Sequence, residues 1–253
     1  MRRLIIRPGA IGDFIVSLPA VECLKTDYLE VWTTRRNVPL VRFADHVRAL
    51  DSTGLDLTGI TQPAPDALHG FDEIVSWYGT NRPEFRAAVS NFPFQFLPAL
   101  PPADCPYHAV DFYLNQVTPF ARNSSDGIPR IPCDSSRQDF AVIHPYSGSP
   151  RKNWPLARFQ DLARRLERVM PVRWCSSNQD PPLPGAARFS DLYDLARWLA
   201  GARLYVGNDS GITHLAAAVG TPVLAIFRAS DPAIWAPRGP HVRVATVKME
   251  EKG

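Results

Sequence analysis

The run from Leu204 to Phe227 leaves the chain few options for folding. Leu204 to Val206 is a short apolar segment ending at Gly207, as expected of a buried parallel strand. Asn208, Asp209, Ser210 and Gly211 are turn formers and helix N-cap formers. Ile212 to Val219 is an apolar, Ala-rich helix, closed by Gly220 and barred from continuing by Pro222. Val223 to Phe227 is a second buried strand. Together they form one βαβ unit, whose helix starts at the carboxyl end of a strand, where doubly wound sheets bind ligands. The unpaired N–H groups and positive dipole end at such a helix start attract phosphate. His214, about one turn inside, is placed to donate to a phosphate oxygen. A plain βαβ with a polar turn is the competing reading. An Asp, a Ser, a Gly and a His at one helix mouth are more polar chemistry than a plain turn needs.

The chain opens in the same way. Arg3 to Arg7 reads as a strand, Pro8 to Asp13 as a glycine-containing turn, and Phe14 to Leu24 as a helix with Ile15, Leu18 and Val21 at helical spacing. Pro19 predicts a kink or an early end there. Gly9 and Gly12 are three apart and no Gly-x-Gly-x-x-Gly exists, which counts against a dinucleotide-dependent oxidoreductase. Leu29 to Thr33 reads as a strand, followed by Arg35 and Arg36, which either hold an anionic acceptor or lie on a solvated surface. Val38 to Leu50 has a helical period, and Asp51 to Gly70 reads as irregular. Phe71 to Trp77 reads as a strand, and Asn81 to Ser90 and His108 to Phe120 as helices. Phe92 to Pro106 has no usable period.

Ala121 to Asp139, rich in Ser, Asn, Gly and Pro, is the linker candidate. The boundary is set near Arg137, giving one domain over 1–137 and a second over 138–253. Phe140 to His144 is a strand, Pro145 to Pro155 a loop, and Pro155 opens an amphipathic helix reaching Met170. Val172 to Cys175 is a strand, Ser176 to Ala187 a Pro-rich loop, and Ser190 caps a helix that turns Leu192, Leu195 and Leu199 inward. His241 to Val247 is a last strand, and the tail beyond it is charged.

A length of 253 residues fits one large or two small domains, and 45% hydrophobic with 21% charged residues is a globular balance. A net charge of +3 does not point to nucleic acid. Cys23, Cys105, Cys133 and Cys175 are scattered with no Cys-x-x-Cys, against a zinc site or disulfide framework and in keeping with reduced cytosolic thiols. Arg7, Pro8 and Asp13 interrupt the apolar start, so the N-terminus reads as mature sequence rather than a signal peptide, and no apolar run is long enough to span a bilayer.

Three blocks carry a resemblance. Asp209-Ser210-Gly211, His214-Leu215-Ala216-Ala217-Ala218 and Gly220-Thr221-Pro222 look like the nucleotide-sugar motif of glycosyltransferase family nine, the ADP-heptose:lipopolysaccharide heptosyltransferases and their relatives. Ser210 stands where that motif usually has Thr. Phe227 to Pro232, with Trp235 and Pro237, is similar to the family's next loop, except that Arg228 stands where a Gly usually follows the aromatic. Arg7-x-Gly9-x-Ile11-Gly12-Asp13 followed by Pro19 resembles the family's N-terminal signature, and His144 to Pro155 its loop ending in Lys-x-Trp-Pro, with Tyr146 in place of the usual Gly. The chain is shorter than typical members, and the helix expected to return to the first domain is not found after Val247.

The resemblance implies a GT-B fold, an α/β architecture of two Rossmann-like domains facing a central cleft, with 1–137 as the acceptor-side domain and 138–253 as the nucleotide-sugar-binding domain. It implies an inverting transfer of a sugar, expected to be a heptose, from a nucleotide diphosphate sugar, expected to be ADP-heptose, to a lipopolysaccharide-type or other glycan acceptor. Asp13 is the implied catalytic base, with a helix cap as the competing local reading. Lys152, Asp209, Ser210, Gly211 and His214 are the implied donor-phosphate and nucleotide residues, with Asp209 orienting the loop or capping the helix. Gly9, Gly12, Arg35 and Arg36 are the acceptor-side candidates. No metal and no cofactor is implied, and no nucleic-acid partner. An anionic glycan or lipid-linked acceptor is, together with a cytoplasmic location that leaves peripheral association at the inner membrane face open. A non-catalytic sugar-nucleotide or glycan-binding module of the same fold is the alternative.

Overall fold

A computed structural model describes residues 1–134 and 136–247. Ser135 of the linker candidate and the charged tail beyond Val247, including the expected absence of a returning helix there, lie outside the described residues. The chain divides into two compact units, one of Met1–Cys105 with Val110–Gly127 and one of Pro106–Ala109 with Ile128–Gly253.

In the first unit, β1 (Arg2–Ile6), α1 (Ile11–Cys23), β2 (Tyr28–Thr33), β3 (His46–Ala49), β4 (Glu73–Ser76), α2 (Pro83–Ala88), β5 (Phe94–Phe96) and α3 (Ala109–Val117) follow in order. The five strands form one sheet in the order β3-β2-β1-β4-β5. Every pairing is parallel, with Ile5 opposite both Val31 and Val75. A parallel sheet covered on both faces explains why β1 reads as an unbroken apolar run. The order reverses between β1 and β4, so the carboxyl ends of these two strands flank a topological switch point. Leu4, Ile6, Trp32, Ile74 and Phe85 are fully buried at the centre of this unit. Phe85 meets Tyr78, Phe94 and Phe96 edge-on at centroid separations of 5.3–6.1 Å.

Several expectations are corrected here. Pro19 does not end α1, which runs through it to Cys23. Nine of its thirteen residues are buried, and that packing outweighs one missing N–H. Val38 to Leu50 is no α-helix: a 3-10 turn at Val38–Leu40 precedes β3. The sequence there holds a helical period, but the free edge of β2 recruits His46–Ala49 in parallel register. Phe92 to Pro106 contains β5, a three-residue strand too short to show an alternation.

The second unit carries β6 (Ala141–His144), α4 (Leu156–Leu166), β7 (Val172–Trp174), α5 (Leu192–Ala200), β8 (Leu204–Asn208), α6 (Gly211–Ala218), β9 (Val223–Phe227), α7 (Pro232–Trp235) and β10 (Val242–Thr246). Its parallel sheet has the order β10-β9-β8-β6-β7, reversing between β6 and β8. Pro155 is the residue before α4 rather than its first, and the helix stops at Leu166, short of Met170. The cap of α5 is Asp191, not Ser190: its Oδ1 accepts from the N–H groups of Tyr193 at 2.6 Å and Asp194 at 3.2 Å. The carboxylate sits one residue closer to the helix, where both N–H groups are within its reach.

Candidate functional site

In the second unit, the loops leaving β6, β8 and β9 converge at the switch point. Asn208, wholly buried at the end of β8, fastens the first two: its Nδ2 donates to the Pro145 carbonyl at 2.6 Å, and its Oδ1 accepts from the Trp154 N–H at 2.8 Å. This brace sets the Pro150–Lys152 turn above Asp209, and Lys152 Nζ lies 2.6 Å from Asp209 Oδ2. Ser230, in the loop after β9, donates to the same carboxylate oxygen. His214 Nε2 stands 4.0 Å from Asp209 Oδ1.

Ser210 is the N-cap of α6, its Oγ accepting from the Thr213 N–H at 3.3 Å. Thr213 Oγ1 donates to the Asn208 carbonyl and lies 3.1 Å from the Tyr205 hydroxyl, which ties the first turn of α6 down onto β8. Gly207 makes that tie possible, since a Cβ there would lie 2.5 Å from the Tyr205 oxygen. In the geometry of a helix start, the Gly211 and Ile212 N–H groups carry no intrahelical bond and point outward with the positive end of the dipole. Burial holds the His214 imidazole well below its ordinary pKa, and Lys152 and His108 push the same way against the raising influence of Asp209. His214 is therefore neutral at pH 7, with one ring N–H to donate.

Next to this cluster, His144 at the end of β6 lies 3.3 Å from Asp180 Oδ2 through its Nε2. Burial pushes the Asp180 carboxyl up, but hydrogen bonds from His144 and the Ser177 N–H outweigh it and hold the group below the usual carboxylate range. The Cys175 thiol is raised to about 12 by burial and by Asp180, so it is an inert thiol.

In the first unit, Asp13 occupies the first turn of α1, directly after β1. The N-cap of this helix is Ala10, with no side-chain cap, so the capping reading of Asp13 is not what the structure has. Arg7 is 1% exposed and clamps the loop: Nη2 donates to the Asp13 carbonyl at 2.7 Å, Nη1 to Ala99 at 3.2 Å and Nε to Ser17 Oγ at 3.0 Å. Its guanidinium stacks over Tyr113, 4.7 Å from the ring centroid. Gly9 has φ +134°, a conformation open to glycine, and its Cα lies beside the Asp13 carboxylate: a Cβ there would be 3.9 Å from Oδ2. The Gly9 carbonyl accepts from Asn37 Nδ2 at 3.1 Å and Thr34 Oγ1 at 3.3 Å. Gly12 is the second residue of α1.

The expected residues thus form two groups. Lys152, Asp209, Ser210, Gly211 and His214 come together in the second unit. Gly9, Gly12 and Asp13 share one loop in the first. The turn that bears Arg35 and Arg36 touches that loop through Thr34, but Arg35 is exposed and paired with Asp51 at 3.0 Å. Sequence reasoning missed Asn208 as the brace, Thr213 as the tie, Ser230 as a second donor to Asp209, and Arg7 as the clamp. Asn208 and Thr213 were legible only as turn and helix residues, and Arg7 only as the end of a strand. Their roles depend on which loops meet. Among the described residues, no group of three or more His, Cys, Asp or Glu side chains is arranged to hold a metal ion, and no helix is long and apolar enough to cross a membrane.

The model of glycosyltransferase family 9 (heptosyltransferase) matches residues 80–252. Over 116 residues the chain is 29% identical to lipopolysaccharide heptosyltransferase 3 of Escherichia coli, a stretch covering 40% of this chain and 34% of that protein. The match thus spans about a third of that curated relative's length. In structure, the chain resembles a glycosyl transferase family 9 protein from Veillonella parvula DSM 2008, with TM-score 0.77, 17% identity and coverage of 97% of this chain and 86% of the other. It also resembles E. coli ADP-heptose lps heptosyltransferase II, with TM-score 0.74, 16% identity and coverage of 97% and 90%. At such identities the likeness concerns the fold, an α/β fold of the GT-B type with two parallel sheets.

Proposed function

The chain belongs to glycosyltransferase family 9, and from that premise we propose that it transfers a sugar, a heptose, from a nucleotide diphosphate sugar to a hydroxyl of a lipopolysaccharide-type glycan, with inversion. One observation carries the reading: the convergence of Lys152, the Ser210-capped start of α6 and neutral His214 over the switch point of the second unit. That is a site for a group bearing several negative oxygens. The likeness to E. coli ADP-heptose lps heptosyltransferase II supports an ADP sugar as the donor.

In this mechanism the acceptor hydroxyl oxygen attacks the anomeric carbon and Asp13 takes its proton. The bond to the leaving oxygen breaks as the new one forms, and its electron pair goes to the departing nucleoside diphosphate. The sugar passes through an oxocarbenium-like state. Lys152, the Gly211 N–H, the Ser210 hydroxyl and the His214 N–H stabilise the diphosphate as its charge grows, each worth about 3 kcal/mol in a preorganised site. Asp209 orients this machinery by holding Lys152 and Ser230. Arg7 fixes Asp13 by gripping its carbonyl. Gly9, Gly12, Arg35 and Arg36 line the acceptor side in this reading, and the enzyme works in the cytoplasm.

The test is release of ADP from ADP-heptose in the presence of a heptose-deficient lipopolysaccharide acceptor, with wild type and Asp13→Ala. Wild type is expected to release ADP only with acceptor present. Asp13→Ala is expected to lose turnover while still binding ADP. Equal loss of binding and turnover in the variant would sink the role given to Asp13. Wild-type binding of ADP without turnover on any glycan would sink the transferase reading.

A further inference from the structure

Arg228 directly follows the last residue of β9, at the position where the resembled family motif usually has a glycine. It is half-buried. Its Nη1 donates to the backbone carbonyl of Asn153, the neighbour of Lys152, and its Nε is buried without a hydrogen-bond partner. A guanidinium offers five donors and is never deprotonated, so removing it from water against a single carbonyl is unfavourable. Among the described residues no carboxylate pairs with it. The nearby anion, Asp209, is already engaged by Lys152 at 2.6 Å and by Ser230, two residues beyond Arg228 in the same loop. Lys152 and Asp209 cancel, His214 is neutral, and Arg228 leaves the cluster with one uncompensated positive charge.

We propose that Arg228 is a diphosphate-binding residue of this chain, the uncompensated cation that meets the negative oxygens at the mouth of α6. The proposal rests on the donor-site reading above and deepens it. Lys152 is a cation shared with Asp209, whereas Arg228 has planar N–H groups left for two phosphate oxygens at once. Since it comes from the β9 loop, it approaches the site from another strand than the β6 loop that carries Lys152.

The experiment is calorimetric titration of the full chain and of Arg228→Met and Arg228→Gln with inorganic pyrophosphate, ADP, UDP, GDP and adenosine, with thermal unfolding to confirm that each variant is folded. Arg228→Met keeps the apolar stem, and Arg228→Gln is the second variant should Met disturb folding. Affinity for pyrophosphate and for ADP is expected to fall about tenfold to a hundredfold in both variants, the range for hydrogen bonds to charged groups, with adenosine unaffected. Wild-type affinity for both anions in a folded variant would overturn the role of Arg228 and leave the donor site standing. Arg228-dependent binding of pyrophosphate with no binding of ADP, UDP or GDP would support Arg228 and overturn the nucleotide-sugar reading. No binding of any of these to wild type would overturn both.

Discussion

Replacing Lys152 with methionine should raise the pKa of His214. At 2.6 Å and an effective dielectric near 20, the attraction between Lys152 and Asp209 is about 6 kcal/mol before desolvation. Lys152 is 36% exposed and screened by water, and Asp209, 5% exposed, gives up hydration to be there. The net contribution to stability is thus cut to about 1–2 kcal/mol. His214 feels the same carboxylate at 4.0 Å, an attraction of about 4 kcal/mol for the imidazolium on the same basis. Burial is the larger influence, and His108 and Lys152 add to it against Asp209, which keeps the ring neutral. Methionine removes one of the influences that oppose Asp209 and leaves its attraction countered by burial and by His108, so the titration midpoint should rise. A His whose folded pKa lies below its unfolded value destabilises the fold as pH drops below about 6.5. Raising the folded pKa weakens that loss, so the variant should be less stable than wild type at pH 7.5 and closer to it at pH 5. The assay is NMR titration of the ring Cε1–H signals of the six histidines, with His214→Gln for assignment, together with urea unfolding at both pH values. A His214 midpoint that stays or falls in Lys152→Met would refute the electrostatic account of this cluster.

Ser210→Ala should cost about 1 kcal/mol through loss of the α6 cap, whereas Ser210→Thr should be near neutral because the hydroxyl is kept; urea unfolding distinguishes the two. Gly79→Ala should destabilise the first unit by about 3 kcal/mol, since φ is +80° and the new Cβ would lie 2.2 Å from the Phe85 ring, which is read by tryptophan fluorescence on denaturation. Asp180→Asn should lower stability at neutral pH. The carboxyl is held below its unfolded value, so the stability it contributes is present above about pH 4 and lost below it, and the gap to wild type should close there; acid unfolding followed by circular dichroism checks this.

Much of the fold was legible because parallel strands buried on both faces leave unbroken apolar runs. β1, β2, β4, β6, β8 and β9 all read this way, and the helices α1, α4, α5 and α6 showed their periods or their punctuation. The short edge strands β3 and β5 did not, because a strand of three or four residues on a sheet edge owes its existence to the neighbour's free hydrogen bonds. At the candidate site the residue types were legible and their partners were not. Ser210 as cap follows from spacing alone. Asp209 as the anchor of Lys152 joins residues fifty-seven apart and requires Asn208 to bring two loops together.

By itself, then, the amino-acid order determined two strand–loop–helix openings, the polar mouth of α6 and the glycine at position 9, since each depends on residues within a turn or two of one another. Tertiary structure decided which charges cancel. Lys152 is spoken for by Asp209, Arg35 by Asp51, and Arg228 by a single backbone carbonyl. Coulomb energy depends on distance and local dielectric, and both are set by loops meeting at the ends of neighbouring strands, a relation that linear spacing does not encode.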